Sequence, residues 1–169
     1  MTTARDMTGI MVATVLLGDN KIMKQRKKSW DEKVLVVQGS FERIKNEGDF
    51  PAIFYQNLFF LKPQLKEYFK KTDFEHQDKA LMHGMEVLMG FLGERKGHPR
   101  QQLLRLSHSH SNQGLNIHPH DYYYWIEAMI MTVKEFDPYW YTDMAYYWRE
   151  VLFFPISFMI SQYFTPPEH

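Results

Sequence analysis

The sequence predicts an all-α fold, and three observations support this. Apolar residues recur three and four positions apart in successive segments of the chain, which is the spacing of one helix face. No segment shows the strict alternation of apolar and polar residues that is typical of a half-buried strand. Most prolines fall at the ends of the periodic segments, where they interrupt a helix at little cost.

The helical segments follow one another without an internal repeat. They are predicted at about 34–46, 51–61, 63–69, 73–92, 100–112, 119–137 and 142–163. Pro51 and Pro119 stand at helix starts, where the missing N–H would have had no partner. Thr72, followed three residues later by Glu75, forms a capping-box pattern. Pro155 lies inside the last segment and should bend it.

The chain divides into an N-terminal extension (1–33), one helical domain (34–164) and a short tail (165–169). The extension has a predicted short helix, Thr8 to Leu17, and then a basic segment, Lys24 to Lys28. Its apolar run is shorter than the roughly 20 residues that span a bilayer, and its charges follow the run instead of preceding it as in a secretory signal. We therefore expect a cytoplasmic protein without a membrane span. The extension is either a partly ordered segment or a helix that docks on its own domain or on another subunit. Its basic segment could also contact acidic lipid.

Composition excludes several classes of site. The 20 basic and 20 acidic residues give zero formal net charge, so the basic excess of a nucleic-acid-binding domain is missing. The chain has no cysteine, which excludes disulfides, zinc thiolate sites and cysteine nucleophiles. It also lacks a glycine-rich dinucleotide fingerprint. The many aromatic residues and 11 methionines suit a cavity for a flat cofactor, but they suit an ordinary helical core equally well.

Three polar residues lie on apolar helix faces. Tyr55, Gln77 and His110 each share a face with apolar side chains, and a polar group that is turned inward needs a partner. Taken singly, each is explained by a buried residue with a local hydrogen bond. His108 points about 200° away from His110 on a regular helix, so we favour His110 as the inward histidine. For the same reason a site of several histidines, drawn from the 108/110 and 118/120 pairs, is a weak alternative.

In combination, these residues resemble the globin family. The resemblance is carried by Phe54-Tyr55, Leu58-Phe59, Pro63, Phe69, Gln77 and Leu81, by a later histidine followed by Ile-x-Pro and a tyrosine, and by Trp148 to Leu152 with Pro155. It covers residues 34 to 164 and is closest to bacterial single-domain globins and to the globin part of flavohaemoglobins. It implies a globin fold with an N-terminal helical extension and a bound haem b.

The resemblance also implies a role for each of eight residues. They are His110, Tyr55, Phe69, Gln77, Leu81, Ile117, Tyr122 and Trp125. His110 would be the proximal iron ligand, Tyr55 would aim its hydroxyl at a bound gas, and Gln77 would take the place of the distal histidine or glutamine. Phe69, Leu81, Ile117, Tyr122 and Trp125 would line the haem cavity.

Two features depart from flavohaemoglobins. The interval between His110 and Pro119 is longer, so the choice of His110 over His108 rests on the helix face. Tyr163 stands near the place of a glutamate that polarises the proximal side, which makes a strong electronic push from His110, and peroxidase-like chemistry, doubtful.

The implied function is reversible binding or transport of O₂, with NO and CO as further ligands, at a five-coordinate iron and with high O₂ affinity. One alternative is dioxygenation of nitric oxide, with a separate reductase as electron donor. Another is gas sensing through residues 1–33 or through a subunit interface of a homo-oligomer. A helical interaction module without haem is the remaining alternative.

Overall fold

The structure is a computed structural model that describes residues 27–93 and 97–165. Its helices are α1 (Trp30–Ile44), α2 (Phe50–Leu61), a 3₁₀ helix (Pro63–Phe69), α3 (Phe74–Gly93), α4 (His98–His110), α5 (Asp121–Phe136) and α6 (Asp143–Ser161). The described residues contain no strand, so the predicted all-α class is confirmed. The predicted helix from Thr8 to Leu17 and most of the basic segment lie outside the described residues.

Helix α1 begins four residues earlier than predicted, at Trp30. Ser29 caps it, because the Ser29 hydroxyl accepts the N–H of Glu32 at 3.3 Å while the Glu32 carboxylate accepts the N–H of Ser29 at 2.7 Å. The apolar periodicity begins only at Val34, which is why it predicted a later start. The predicted division of the chain at residues 33 and 164 stays a prediction.

Helices α3 and α4 also differ from the prediction at their ends. The capping box predicted at Thr72 is wrong: α3 begins at Phe74, and the Asp73 carboxylate accepts the N–H of Glu75 at 3.1 Å. Helix α4 is shifted two residues toward the N-terminus of the chain, so that His110 is its last residue. A side chain at this position faces the interior from the very end of a helix.

The helices form one core in which α6 is central. Helix α6 packs against α1, α3, α4 and α5, while α2 packs across α5. Phe54, Met129, Trp148 and Leu152 are almost completely buried where these helices meet. Among the described residues, no helix is both long enough and apolar enough to cross a membrane.

A buried carboxylate ties α1 to the corner between α5 and α6. Asp137 accepts hydrogen bonds from Ser40 Oγ at 2.5 Å, from Arg43 Nε at 2.8 Å and Nη2 at 2.6 Å, and from the N–H of Tyr139 at 3.0 Å. Trp148 Nε1 in turn donates to Ser40 Oγ at 3.3 Å. Burial alone would raise the pKa of Asp137, but the hydrogen bonds from Arg43 and Ser40 outweigh it and hold the pKa below its ordinary value.

Candidate functional site

The cavity lies between α2, the 3₁₀ helix and α3 on one side and α4, α5 and α6 on the other. Its volume is about 240 Å³, whereas a single water needs only about 10–15 Å³ on a similar measure. All eight residues that the sequence singled out line it, namely Tyr55, Phe69, Gln77, Leu81, His110, Ile117, Tyr122 and Trp125. Most of the remaining lining is apolar, so the cavity suits a bulky ligand with a large apolar surface.

Tyr55 is held in an aromatic cage of Phe54, Phe59, Phe69 and Phe74. The centroids of these four rings lie 5.1 to 6.0 Å from that of Tyr55. The contact with Phe54 is edge-to-face, which is one of the favoured geometries for aromatic pairs. The cage leaves Tyr55 only 5% exposed, so its ring has little freedom to move.

The hydroxyl of Tyr55 is oriented by Gln77. Gln77 Nε2 donates to Tyr55 Oη at 2.9 Å. Burial raises the pKa of Tyr55 to about 12, with the bond from Gln77 acting in the opposite direction. The phenol therefore stays protonated near neutral pH. Because its oxygen accepts from Gln77, the O–H hydrogen remains available as a donor to a ligand in the cavity.

His110 lines the cavity and uses its Nδ1 in local hydrogen bonds. Its Nδ1 lies 2.9 Å from the carbonyl oxygen of Leu106 and 3.0 Å from Ser109 Oγ. The Ser109 hydroxyl itself donates to the same carbonyl at 2.8 Å, so we place the imidazole hydrogen on Nδ1, donating to Leu106. Burial lowers the pKa of His110 despite the bond to Leu106, which raises it. The result is a neutral imidazole, and the described residues offer its Nε2 no hydrogen bond.

His108 does not line the cavity, whereas His110 does, as the helix-face argument expected. Within residues 27–93 and 97–165, no group of three or more His, Asp or Glu side chains is placed to hold a metal ion. The structure therefore gives no support to the alternative of a site built from several histidines.

Tyr122 places a second phenol in the cavity wall. It is the second residue of α5, and the described residues offer its hydroxyl no hydrogen bond. Burial raises the pKa of Tyr122 well above its ordinary value, so this hydroxyl is also protonated. Ile117 lies in the loop before α5, and Trp125 lies one turn after Tyr122.

A charged cluster at the start of α5 was not expected from the sequence. Asp121 is 5% exposed and lines the cavity. It accepts from Lys62 Nζ at 2.5 Å and from Tyr68 Oη at 3.4 Å. The partners come from segments more than 50 residues away in sequence, and no local pattern points to their meeting.

The donor set fits the haem that the resemblance implies. His110 has an uncommitted ring nitrogen, and the phenols of Tyr55 and Tyr122 have uncommitted hydroxyl hydrogens, all in a cavity with mainly apolar walls. Polar groups that face an apolar cavity without partners cost free energy unless a ligand completes their bonds. Haem is largely apolar and carries an iron ion, so it would fill the apolar cavity and give the free ring nitrogen of His110 a partner.

Comparison with known proteins bears on the fold of the chain. Neither family models nor curated proteins gave a match. A crystal structure from Pseudomonas aeruginosa PAO1, described as that of a protein structurally highly homologous to a human hemoglobin, superposes with a TM-score of 0.71 and 27% sequence identity. The match covers 78% of this chain and 98% of that one. Together with the arrangement of the helices, this similarity shows that the chain has an all-α, globin-like fold.

Proposed function

We propose that the protein binds haem b and, at a five-coordinate iron, reversibly binds O₂ and other diatomic gases. The observation that carries this proposal is that one cavity collects a neutral imidazole from α4, a protonated phenol from α2 and an amide from α3. Haem would supply ferrous iron with one open coordination position for a gas.

His110 would hold the iron through Nε2. The bond from Nδ1 to the Leu106 carbonyl fixes the tautomer and the orientation of the ring, and such a bond raises the basicity of the other nitrogen. Because burial lowers the pKa of His110, protons compete weakly with the metal near neutral pH.

Tyr55 would donate its O–H hydrogen to the bound gas. A gas ligand that gains partial negative charge on the iron strengthens this bond, since a hydrogen bond to a charged group contributes about 1.5–3 kcal/mol. Gln77 holds the hydroxyl in place, while the apolar side chains of Phe69 and Leu81 limit the access of water. These contacts support slow O₂ release and high affinity.

The test is a haem titration of the purified protein with visible spectra in the oxidised, reduced and CO-bound states. His110→Ala is the test variant, and His108→Ala is the matched control from the same helix turn. We expect one haem per chain with sharp Soret bands, altered in His110→Ala alone. Absence of stoichiometric uptake by the unmodified protein, or equal spectra for both variants and the unmodified protein, would contradict the proposal.

Nitric oxide dioxygenation is a second candidate, and the bond between Gln77 and Tyr55 is the observation that favours it. A hydroxyl held at one place would steady an O₂ ligand for attack by nitric oxide. In this reaction one O₂, one NO and one electron yield nitrate, so a separate reductase would have to supply the electron. Repeated loss of nitric oxide in the presence of a reductant would support the enzyme, and a single stoichiometric reaction would contradict it. Sensing through residues 1–33 or a subunit interface, and the cytoplasmic location, stay predictions.

A further inference from the structure

A groove lies at the corner where the start of α1 meets the start of α6. It is formed by lysines between residues 27 and 33 on one side and by residues between 141 and 147 on the other, and it shares no residue with the cavity of the candidate site. Its volume is about 550 Å³, within the roughly 300–1,000 Å³ that is usual for small-molecule sites. We call it the corner groove, and it has room for a second ligand.

The corner groove carries an excess of positive charge. Lys27 and Lys28 line it and form no ion pair with any other described residue. Lys33 also lines it, but Lys33 Nζ donates to Glu150 Oε2 at 2.6 Å, so its charge is compensated from outside the groove. Asp143 is the one carboxylate that the described residues place in the wall. Two unpaired ammonium groups against one exposed carboxylate favour an anionic ligand.

Tyr147 places a buried hydroxyl in the wall of the corner groove. It is only 8% exposed, and the described residues offer its hydroxyl no hydrogen bond. Its ring is held by edge-to-face contacts with Tyr141 and Tyr146, whose ring centroids lie 6.3 and 6.1 Å away. A buried hydroxyl without a partner costs free energy. A ligand that brings an acceptor oxygen into the groove would therefore be stabilised by this group.

These donors suit the phosphate group of an ester. Phosphate oxygens accept several hydrogen bonds, and a phosphate ester carries about 1.5 to 2 negative charges near neutral pH. Lysine is a common ligand of phosphate. The rings of Tyr141 and Tyr146 line the same groove and are about half exposed, so they can pack against an organic group. A bare phosphate ion would leave these rings in contact with water.

We propose that the corner groove is a binding site for a small, soluble phosphate ester. Lys27 and Lys28 neutralise the phosphate, Tyr147 donates its O–H hydrogen to a phosphate oxygen, and the two half-exposed tyrosine rings contact the organic part. This site needs neither haem nor a gas, so it does not depend on the function proposed above. A phospholipid headgroup has the same phosphate chemistry, and the experiment separates these two sources.

The probe is phenyl phosphate, added to the unmodified protein and followed by ¹H–¹⁵N NMR. We expect saturable shifts at backbone N–H groups around the corner groove and tighter binding than for inorganic phosphate. Phenol, which has the ring without the charge, should cause no saturable shift. Added salt should weaken the binding of phenyl phosphate, because the lysines are open to solvent.

Two variants test the donors. Tyr147→Phe removes only the hydroxyl and should weaken binding about tenfold or more, the factor for a hydrogen bond to a charged group. Lys27→Gln combined with Lys28→Gln should weaken it about 2- to 30-fold, as expected for the loss of two exposed ion pairs. Lys70→Gln combined with Lys71→Gln is the matched control, because it removes an adjacent lysine pair outside the groove and should leave the affinity nearly unchanged.

The outcomes that would overturn the proposal are distinct. They are no saturable binding of phenyl phosphate, equal affinity in Tyr147→Phe and the unmodified protein, an equal loss in both lysine pairs, or equal affinity for phenyl phosphate and inorganic phosphate. Co-sedimentation with phosphatidylcholine vesicles that contain phosphatidic acid, without binding of phenyl phosphate, would assign the groove to lipid instead. Haem uptake is measured separately, so failure of the proposed function leaves this test intact. Far-UV circular dichroism checks that each variant keeps its helices.

Discussion

Gln77 should act on a gas ligand through Tyr55, and this can be separated from direct action. The perturbations are Tyr55→Phe, Gln77→Leu and the double variant. Tyr55→Phe removes a donor that contributes about 1.5–3 kcal/mol to a partly charged ligand, so O₂ should dissociate about 10- to 150-fold faster. Gln77→Leu removes only the 2.9 Å bond that orients the hydroxyl, with an expected factor of about 2 to 12 from 0.5–1.5 kcal/mol.

The double variant decides between the two modes of action. If Gln77 works only by orienting the phenol, its loss has no effect once residue 55 is phenylalanine, so the double variant should match Tyr55→Phe. The assay is stopped-flow displacement of O₂ by excess CO. Dissociation of CO, a ligand that gains less charge, serves as the internal control and should change by about threefold or less. If Gln77→Leu still speeds O₂ release several-fold in the phenylalanine background, the amide acts on the ligand directly and the reasoning is refuted.

Three further predictions concern the frame of the site. Asp137→Ala should lower the free energy of unfolding by about 2–4 kcal/mol, measured by urea denaturation. This is less than for a fully buried ion pair, because the partner Arg43 is 34% exposed. Glu127→Ala breaks the more exposed pair with Arg149 and should lower the free energy of unfolding by about 1 kcal/mol or less. Gly114→Ala should lower the melting temperature, because an added Cβ would lie 2.3 Å from a carbonyl oxygen of α4, whereas Gly48→Ala has open space and serves as its control. The haem-free protein should lose stability as pH falls below about 6.5, because burial lowers the pKa of His110 and the unfolded chain therefore takes up the proton first. Urea midpoints measured between about pH 7.5 and 5 should fall less for His110→Ala than for the unmodified protein. An equal fall in both proteins would contradict this.

The inward faces of the helices could be predicted because helical periodicity survives errors at the helix ends. Tyr55, Gln77 and His110 were placed inward from spacing alone, and all three line the same cavity although α4 is shifted by two residues. Shifting the ends of a helix leaves the relative orientation of its side chains unchanged. The same argument separated His110 from His108.

Contacts between distant segments could not be predicted in this way. The bonds of Lys62 to Asp121 and of Tyr163 to Asn116 depend on how helices pack, and neither residue of either pair shows its partner in the local sequence. The prediction of the N-terminal cap of α3 failed for a different reason. Two adjacent residues, Thr72 and Asp73, can both cap a helix, and spacing does not tell which carboxyl or hydroxyl oxygen reaches the free N–H.

The aromatic cage around Tyr55 has a consequence for the timing of motion in the cavity. Four close ring neighbours must shift together before the Tyr55 ring can turn over, so the turning should be slow enough for the two sides of the ring to give separate NMR signals. The hydroxyl oxygen lies on the axis of that turn and stays in place throughout it. The bond from Gln77 can therefore persist while the two edges of the ring exchange places. The Tyr55 hydroxyl stays in a fixed position while the surrounding side chains move.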